Sequence, residues 1–307
     1  MKGKYIISID LGGTNLKFAI LNTKFRIIAQ KRLATQTFAN SQELIQAIAE
    51  SIKSALKKYA LDKKDILGVG IGVPGPVDIR KGVVHFLPNI PGWKNIKLSS
   101  LLNHKIKLPI YLDNDANLFT LGEFYLGAAK GFKNVLGITL GTGVGGGLIL
   151  GNRLYRGGKF TAGEIGHIPI MIQGKRCKCG SRGCLEAYIG NQRILMRAKT
   201  VFKEKVSLER LSNLAKKGNP QAIRIWQTVG YLLGIALSGV VNLLNLDAVV
   251  IGGGVANVGK ILFDSIKKTI QANAMPVPAK HVRVIKGRLG ENAGLIGAAV
   301  LVRPKGV

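Results

Sequence analysis

The stretch Tyr5-Ile-Ile-Ser-Ile-Asp10-Leu-Gly-Gly-Thr-Asn-Leu-Lys17 decides the fold of this 307-residue chain. An apolar run ends at Asp10, a Gly-Gly turn follows, and Phe18–Leu21 is apolar again, which predicts two strands joined by a tight turn. Glycines let the backbone N–H groups of such a turn point inward, so the turn could hold a phosphate. Asp10, at the strand end, could hold Mg²⁺ directly or through water. A tight hairpin without a ligand explains this turn equally well.

A second strand–turn–strand unit covers Leu136–Leu150 and repeats this arrangement around Gly141-Thr-Gly-Val-Gly-Gly-Gly147. It could hold a second phosphate, although a ligand-free hairpin again explains it equally well. The internal repeat predicts two related α/β halves with a cleft between them. Further strands are expected at 26–33, 66–73, 109–112 and 248–251, helices at 41–59, 116–126, 258–272 and 293–302, and a mostly helical region at 191–246.

We therefore predict an α/β protein of two domains. The smaller domain covers residues 1–112 and is joined by the C-terminal helix 293–307, and the larger domain covers 113–292. Two other phosphate-binding patterns are incomplete. Gly254–Lys260 fits a Walker A sequence until Ile261 replaces the Ser or Thr that would bind Mg²⁺. The G-x-G-x-x-G match at Gly141 leads into a strand rather than a helix, which argues against a Rossmann dehydrogenase.

The composition is strongly basic. The chain has 45 Lys and Arg against 16 Asp and Glu, a formal net charge of +29 at pH 7. Such an excess favours anionic partners, such as nucleic acid, polyphosphate, nucleotides or an anionic membrane surface. The positive charges are spread along the chain and form no nucleic-acid-binding arm, so we expect no specific nucleic acid partner. A hydrophobic fraction of 47% excludes a disordered polyelectrolyte.

One uncharged stretch, Ile225–Leu246, is long enough to be tested as a membrane span. It carries several polar side chains, and its aromatic residues lie toward one end only, so we predict a buried core helix instead. The apolar run near the N-terminus is cut short by Asp10, too early for a signal peptide. We expect a cytoplasmic protein without membrane contact.

The three cysteines of the chain lie within eight residues, and a histidine precedes them. Three thiolates and one imidazole make a closed tetrahedral zinc site. A disulfide would leave one cysteine unpaired, so zinc is favoured. Because no coordination position is left open, zinc is expected to fold a loop rather than activate water. The predicted ligands are His167, Cys177, Cys179 and Cys184.

Several carboxylates could carry chemistry. Asp113-Asn114-Asp115 follows a predicted strand and opens a predicted helix, and helix capping explains it by itself. A carboxylate here could also act as a general base that accepts a proton from an attacking hydroxyl near the glycine turns. Glu164 and Glu186 flank the cysteine loop. Carboxylates together with Asn and His are suited to sugar hydroxyls, which both donate and accept hydrogen bonds.

Together these motifs resemble the ROK family of repressors, open reading frames and sugar kinases, and especially its glucokinase-like members. The resemblance covers nearly the whole chain, and the histidine and cysteine segments are its most specific part. It implies the actin-like ATPase (ribonuclease H-like) fold, with two α/β domains around a cleft, and transfer of the ATP γ-phosphoryl group to a hexose hydroxyl. The segments that carry it are Asp10–Thr14, Asp113–Asn117, Gly122-Glu123, Gly141–Gly147, Ala162–His167, Cys177–Gly180 and Gly183–Glu186.

The resemblance also implies roles for individual residues. Asp115 would be the catalytic base, and His167 would bind both zinc and the sugar. The residues that would contact the sugar are Asn89, Asn114, Asp115, Glu164, His167 and Glu186. The residues that would hold the ATP phosphates and Mg²⁺ are Asp10, Gly12, Gly13, Thr14, Asn15, Lys17, Gly141, Thr142 and Gly143, with Gly253 and Gly254 near the adenosine.

Glucose is the expected acceptor, at its 6-hydroxyl, and ATP with Mg²⁺ is the expected donor. Other acceptors within the family would be N-acetylglucosamine, N-acetylmannosamine or fructose. Polyphosphate is an alternative donor, although polyphosphate-dependent members usually lack the cysteine cluster. A sugar-responsive regulator is not expected, because the first turn begins at Asp10, which leaves no room for an N-terminal winged helix, and because Asp115 is present. The resemblance also suggests a homodimer.

Overall fold

The computed structural model describes residues 4–12, 15–34, 38–87 and 92–302. The chain forms two compact units, and each is assembled from separate stretches of sequence. The first unit contains Met1–Gly127, Arg153–Ala162 and Glu291–Val307. The second unit contains Ala128–Asn152 and Gly163–Gly290.

The first unit is built on a mixed five-stranded sheet. The five strands of this sheet are β1 (Tyr5–Leu11), β2 (Asn15–Asn22), β3 (Ile27–Ala34), β4 (Ile66–Val73) and β7 (Ile110–Asn114). The residues of the unit also include the short strands β5 (Val77–Asp78), β6 (Val83–Val84) and β10 (Arg153–Tyr155), which are not part of this sheet. The sheet has the order β3-β2-β1-β4-β7, and β5 pairs with β6. The hairpin β1–β2 is antiparallel, whereas β4 runs parallel to β1 and β7. The carboxyl ends of β1, β4 and β7 therefore meet at one edge of the sheet.

Helices cover the sheet of the first unit. They are α1 (Ser41–Lys58), α2 (Leu98–Ile106), α3 (Asp115–Tyr125) and α10 (Ala293–Val302). In α1, Leu44, Ile48 and Ile52 are buried because their i, i+4 spacing places them on one face. α10 lies directly against the sheet, since a Cβ on Gly70 of β4 would overlap the carbonyl group of Ala298.

The division between the units differs from the predicted boundary after Leu112. The first unit continues to Gly127 and so includes α3. The physical reason is close packing between α3 and α10. A Cβ on Gly122 would overlap the carbonyl oxygen of Ala293, and a Cβ on Gly297 would overlap that of Leu118. Two helices that approach this closely belong to one core.

The second unit repeats a sheet with helices around it. Its strands are β8 (Val135–Leu140), β9 (Val144–Leu150), β11 (Ala248–Gly252) and β12 (Arg283–Lys286), and its helices are α4 (Glu186–Ile189), α5 (Asn191–Phe202), α6 (Leu208–Lys216), α7 (Pro220–Leu244), α8 (Lys260–Asn273) and α9 (Pro276–His281). The strands β9, β8, β11 and β12 lie side by side in that order. β8 and β9 form the second antiparallel hairpin, and β11 is parallel to β8 and β12.

The helix α7 contains most of the uncharged stretch noted in the sequence. Among the described residues, it is the one helix long and apolar enough to cross a membrane, and half of its most apolar window is buried. Its buried face includes Trp226, Leu233 and Leu237. Gly230 and Gly234 let α7 approach α8, since a Cβ at either position would press on Ser265 or Thr269. These contacts are those of the predicted core helix.

Candidate active site

At the carboxyl edge of the first sheet, the end of β1 and the end of β7 place aspartates at the same level of neighbouring strands. Strand pairing aligns Asp10 of β1 with Gly72 of β4, and Gly72 with Asp113 of β7. An ideal Cβ on Gly72 would lie 3.6 Å from Asp10 Oδ1 and 3.6 Å from the Cα of Asp115. The nearest atom to that Cβ position is Leu118 Cδ1, at 2.9 Å, so glycine lets Leu118 pack here and brings the backbone of Asp115 close to Asp10. Parallel pairing, rather than nearness in sequence, creates this juxtaposition.

Asp10 is partly buried beside a lysine of the same hairpin. Asp10 and Lys17 are cross-strand partners, and Lys17 Nζ lies 3.9 Å from Asp10 Oδ2. Burial raises the pKa of Asp10, and the ammonium group of Lys17 opposes that shift. Lys17 Nζ also donates a hydrogen bond to the carbonyl oxygen of Glu291 at 3.1 Å. A cation that replaced the proton on Asp10 would relieve the cost of burying its charge, so this carboxylate fits a Mg²⁺-binding role.

A backbone hydrogen bond joins Gly12 and Asn15, the two described ends of the first turn. The N–H of Gly12 donates to the carbonyl oxygen of Asn15 at 2.9 Å. This bond occupies an amide that the sequence offered as a phosphate donor. Gly13 and Thr14, which were predicted to complete this site, lie outside the described residues.

The junction of β7 and α3 carries Asn114 and Asp115. Asn114 caps α3, and its Oδ1 accepts from the N–H of Ala116 at 2.9 Å. Asp115 stands in the first helical turn, where its Oδ1 accepts from the same N–H at 2.8 Å. The capping expected from the sequence is therefore present at Asn114. It fixes the start of the helix and, with it, the backbone of Asp115.

Both carboxylate oxygens of Asp113 accept hydrogen bonds from neighbouring residues. It is 2% exposed, and its Oδ2 lies 2.7 Å from both Nε and Nη2 of Arg156. Its Oδ1 accepts from the N–H of Asn114 and from Nδ2 of Asn117, each at 2.8 Å. A buried carboxylate with four such contacts is an anchor rather than a base. Sequence reasoning missed Arg156 because nothing distinguishes it among the 45 basic residues.

In the second unit, the turn at Gly141–Gly143 is held from outside the hairpin. The N–H of Gly141 donates to the carbonyl oxygen of Gly143 at 3.0 Å, and the carbonyl of Gly141 accepts from the N–H of Asn191. Glu186 Oε2 accepts from the N–H of Val144 at 2.8 Å. A Cβ on Gly143 would overlap the Glu186 carboxylate, so a larger residue there would displace the Glu186 side chain.

Gly253 lies beside the same strand end. It has φ of +84°, and a Cβ on it would overlap the carbonyl oxygen of Leu140, the last residue of β8. Gly254 begins a 3-10 turn over Gly254–Val258. The predicted adenosine residues therefore follow β11, next to the strand that leads into the second glycine turn. Asn89, the predicted sugar-loop residue, lies outside the described residues.

Glu164, His167 and Glu186 influence one another electrostatically. His167 Nε2 lies 4.0 Å from Glu164 Oε2. Burial raises the pKa of Glu164, the positive charge of His167 would lower it, and the negative charge of Glu186 raises it. These three predicted sugar ligands are therefore neighbours within the second unit.

His167, Cys177, Cys179 and Cys184 form a four-ligand cluster. Their ligand atoms all lie within 4.8 Å of one another. His167 Nδ1 is 3.7 Å from Cys177 Sγ, and Cys179 Sγ is 3.7 Å from Cys184 Sγ. Two sulfurs bound to tetrahedral zinc at about 2.3 Å would be about 3.8 Å apart, so these donors fit zinc. Burial raises the pKa of Cys184 to about 11, so metal binding must displace its proton.

The family model described as the ROK family matches residues 6–305. The chain belongs to the ROK family. This ROK protein is 34% identical over 318 residues to the glucokinase of Halalkalibacterium halodurans, which covers 99% of this chain and 96% of that protein.

Two solved structures extend the comparison. A ROK family glucokinase from Streptomyces griseus, in complex with glucose and AMPPNP, is 31% identical, with a TM-score of 0.83 over 97% of this chain and 98% of that one. A ROK family transcriptional regulator, a homologue of the E. coli MLC protein, is 28% identical, with a TM-score of 0.90 over 97% of this chain and 77% of that one. These similarities confirm the predicted family and its actin-like α/β fold.

Proposed function

We propose that this ROK protein is an ATP-dependent sugar kinase that transfers the γ-phosphoryl group to the 6-hydroxyl of glucose. The observation that supports this most is the pair of aspartates at the sheet edge: Asp10 Oδ1 and the Cα of Asp115 would each lie 3.6 Å from an ideal Cβ on Gly72. Phosphoryl transfer needs charge neutralisation at the phosphates and a group that takes the proton of the acceptor hydroxyl. One carboxylate of the pair suits each task. The similarity to glucokinases supports the same class of enzyme.

In this proposal Asp115 is the general base. It accepts the proton of the acceptor hydroxyl as that oxygen attacks the γ-phosphorus, a role that contributes about 10²–10⁴-fold to rate. Asp113 and Arg156 act through it, because their ion pair anchors the junction that carries Asn114 and Asp115. Mg²⁺, held by Asp10, would neutralise charge on the phosphates.

The remaining residues bind the substrates in this proposal. The sugar is contacted by side chains whose mixture of donors and acceptors suits hydroxyl groups. These are Asn89, Asn114, Glu164, His167 and Glu186. Two sets of backbone and side-chain groups hold the nucleotide: Gly12, Gly13, Thr14, Asn15 and Lys17, and Gly141, Thr142, Gly143, Gly253 and Gly254. His167 supports a double role, since its Nδ1 faces Cys177 while its Nε2 faces Glu164. His167, Cys177, Cys179 and Cys184 would hold structural zinc, which would fix the loop.

A coupled assay of sugar phosphorylation tests the proposal. Glucose, fructose, N-acetylglucosamine and N-acetylmannosamine are each offered with ATP and Mg²⁺, and glucose is also offered with polyphosphate. We expect glucose with ATP to give the highest kcat/KM, with the product phosphorylated at the 6-position by NMR. Preference for another sugar or for polyphosphate would correct the substrate but keep the kinase. No phosphorylation of any hexose would refute the kinase itself.

The expected setting is the cytoplasm, where ATP is available and the three free cysteines stay reduced. We also propose a homodimer, which sedimentation analysis would test. The match to a ROK regulator covers 77% of that chain, and the phosphorylation assay distinguishes an enzyme from a regulator.

A further inference from the structure

Val144, the residue that follows the turn at Gly141–Gly143, is held on both sides by segments that carry the cluster ligands. Its N–H donates to Glu186 Oε2 at 2.8 Å. On the other side, Gly166 approaches so closely that a Cβ there would overlap the carbonyl oxygen of Val144. Gly166 precedes His167, and Glu186 stands two residues after Cys184. The backbone of Val144 therefore contacts two segments that each carry cluster ligands.

The two segments are also joined to each other. The N–H of Leu185 donates to the carbonyl oxygen of Ile168 at 3.0 Å, and Pro169 forms a β-bridge with Cys184. Cys184 and Leu185 are fully buried. A metal ion bound by His167 and the three cysteines would cross-link these segments a second time, next to the backbone bonds.

A second connection leads from Glu186 back to the turn. The carbonyl oxygen of Glu186 accepts from the N–H of Gly190, and the following N–H, of Asn191, donates to the carbonyl oxygen of Gly141. Glu186 thus contacts the turn through its side chain at Val144 and supports it through the start of α5. These short contacts give the cysteine loop a direct physical connection to the turn.

We propose that metal binding at the four-ligand cluster and nucleotide binding at the turn Gly141–Gly143 are energetically coupled, with Glu186 and Gly166 as the positioning residues. The coupling rests on the proposed function only in assigning the nucleotide to this turn. It gives Glu186 a task that is separate from contacting the sugar. Because coupling between two binding sites is reciprocal, zinc strengthens nucleotide binding by the same factor by which nucleotide strengthens zinc binding.

The test measures binding without sugar and without turnover. Isothermal titration calorimetry gives the Kd of a non-hydrolysable ATP analogue with Mg²⁺ for zinc-loaded and metal-stripped protein. We expect the stripped protein to bind the analogue about tenfold more weakly, within the usual range for coupled sites. The reciprocal experiment titrates the zinc-loaded protein with a chromophoric chelator, with and without the analogue, and should give the same factor. If the stripped protein unfolds, nucleotide would protect zinc through folding alone, and the Glu186→Ala variant, which keeps all four ligands, then separates coupling through the turn from coupling through folding.

Variants locate the coupling. Glu186→Gln keeps an oxygen that can accept from the N–H of Val144 and should retain the difference between loaded and stripped protein. Glu186→Ala removes that acceptor and should lose most of it. Glu209→Ala is the matched control, because Glu209 is an exposed carboxylate in the first turn of α6, and it should keep the coupling.

The outcomes separate this proposal from the kinase assignment. Equal nucleotide affinity with and without zinc would overturn the coupling and leave the kinase intact. Loss of coupling in Glu186→Gln as complete as in Glu186→Ala would overturn the role of the hydrogen bond to Val144. If the analogue binds neither form of the protein, it is the nucleotide-binding function itself that fails.

Discussion

The two glycine turns of this protein occupy equivalent places in their sheets but are built differently. Each joins antiparallel strands at the end of a buried central strand, β1 in one unit and β8 in the other. Beside the first turn, the charged groups Asp10 and Lys17 belong to the same hairpin. Beside the second, the carboxylate comes from Glu186, which is 42 residues from its partner Val144. The charged groups of the first turn come from its own hairpin, whereas the carboxylate at the second turn comes from a segment distant in sequence.

The largest expected effect tests the aspartates at the sheet edge next to the first turn. Asp115→Asn should lower kcat by about 10²–10⁴-fold, because the amide cannot take the proton of the acceptor hydroxyl. Glucose affinity, measured by calorimetry, should persist, since the side chain keeps its size. Glu50→Gln on the exposed face of α1 is the control for loss of one carboxylate charge. Near-normal turnover by Asp115→Asn would show that Asp115 is not the general base.

The next effect concerns the buried ion pair between Asp113 and Arg156. Arg156→Leu should lower the free energy of unfolding of the first unit by about 3–5 kcal/mol, because Asp113 is left buried without its charge partner. The double variant Asp113→Asn, Arg156→Leu should recover much of that loss, since no charge then remains buried. Urea unfolding followed by tryptophan fluorescence and circular dichroism measures both. Equal destabilisation of the single and double variants would show that packing, not charge, is the role of Arg156.

A smaller effect tests the dependence of the second turn on Glu186. Gly143→Ala places a Cβ against the Glu186 carboxylate and should weaken binding of a non-hydrolysable ATP analogue about tenfold, as expected from an overpacking cost of about 1–3 kcal/mol. Gly239→Ala is the matched control, because it lies on an exposed part of α7 with open space around its Cβ position. Unchanged affinity in Gly143→Ala would mean that the turn tolerates displacement of Glu186.

The smallest effect concerns the charge of Asp10. Burial raises the pKa of Asp10, so the folded state holds this proton more tightly than the unfolded state. This group therefore reduces stability as pH rises from its ordinary pKa through the raised one, and the penalty is fully present above that window. Asp10→Asn removes the penalty and should raise Tm by about 2 °C at pH 7 while weakening Mg²⁺-dependent nucleotide binding.

The pH dependence provides the check on that variant. The gain in Tm should shrink as pH falls toward the ordinary pKa of an aspartate, where Asp10 is protonated in both states and its penalty is absent. A scan of Tm against pH for both proteins measures it. A lower Tm for Asp10→Asn at neutral pH would show instead that the ion pair with Lys17 stabilises the hairpin.

Most elements were predictable where the hydrophobic pattern was strong. The expected helix at 41–59 is α1, and the expected helix at 293–302 coincides with α10. The strand expected at 109–112 continues through Asn114, because its pairing with β4 extends to Val73. The helical region at 191–246 is divided into three helices, and Asn219 and Pro220 begin the last of them with a side-chain cap and a proline at the first position.

The elements that escaped prediction are short or poorly patterned. They include α9, which contains two prolines, and β12, whose ends are the charged Arg283 and Lys286. β12 depends on a neighbouring strand for its stability, since it is held by pairing with β11. Hydrophobic periodicity is read from residues close together in sequence, so it could not reveal a strand that depends on pairing with a distant one.

The sequence by itself determined the two hairpins, the spacing of the four cluster ligands and the family, because these depend on residues close together in the chain. Tertiary structure decided which groups work as pairs. Parallel strands placed Asp10 and Asp115 around Gly72, Arg156 became the partner of Asp113, and Glu186 reached Val144. The physical reason is that a carboxylate finds its partner through strand register and burial, and both are settled only when distant segments pack.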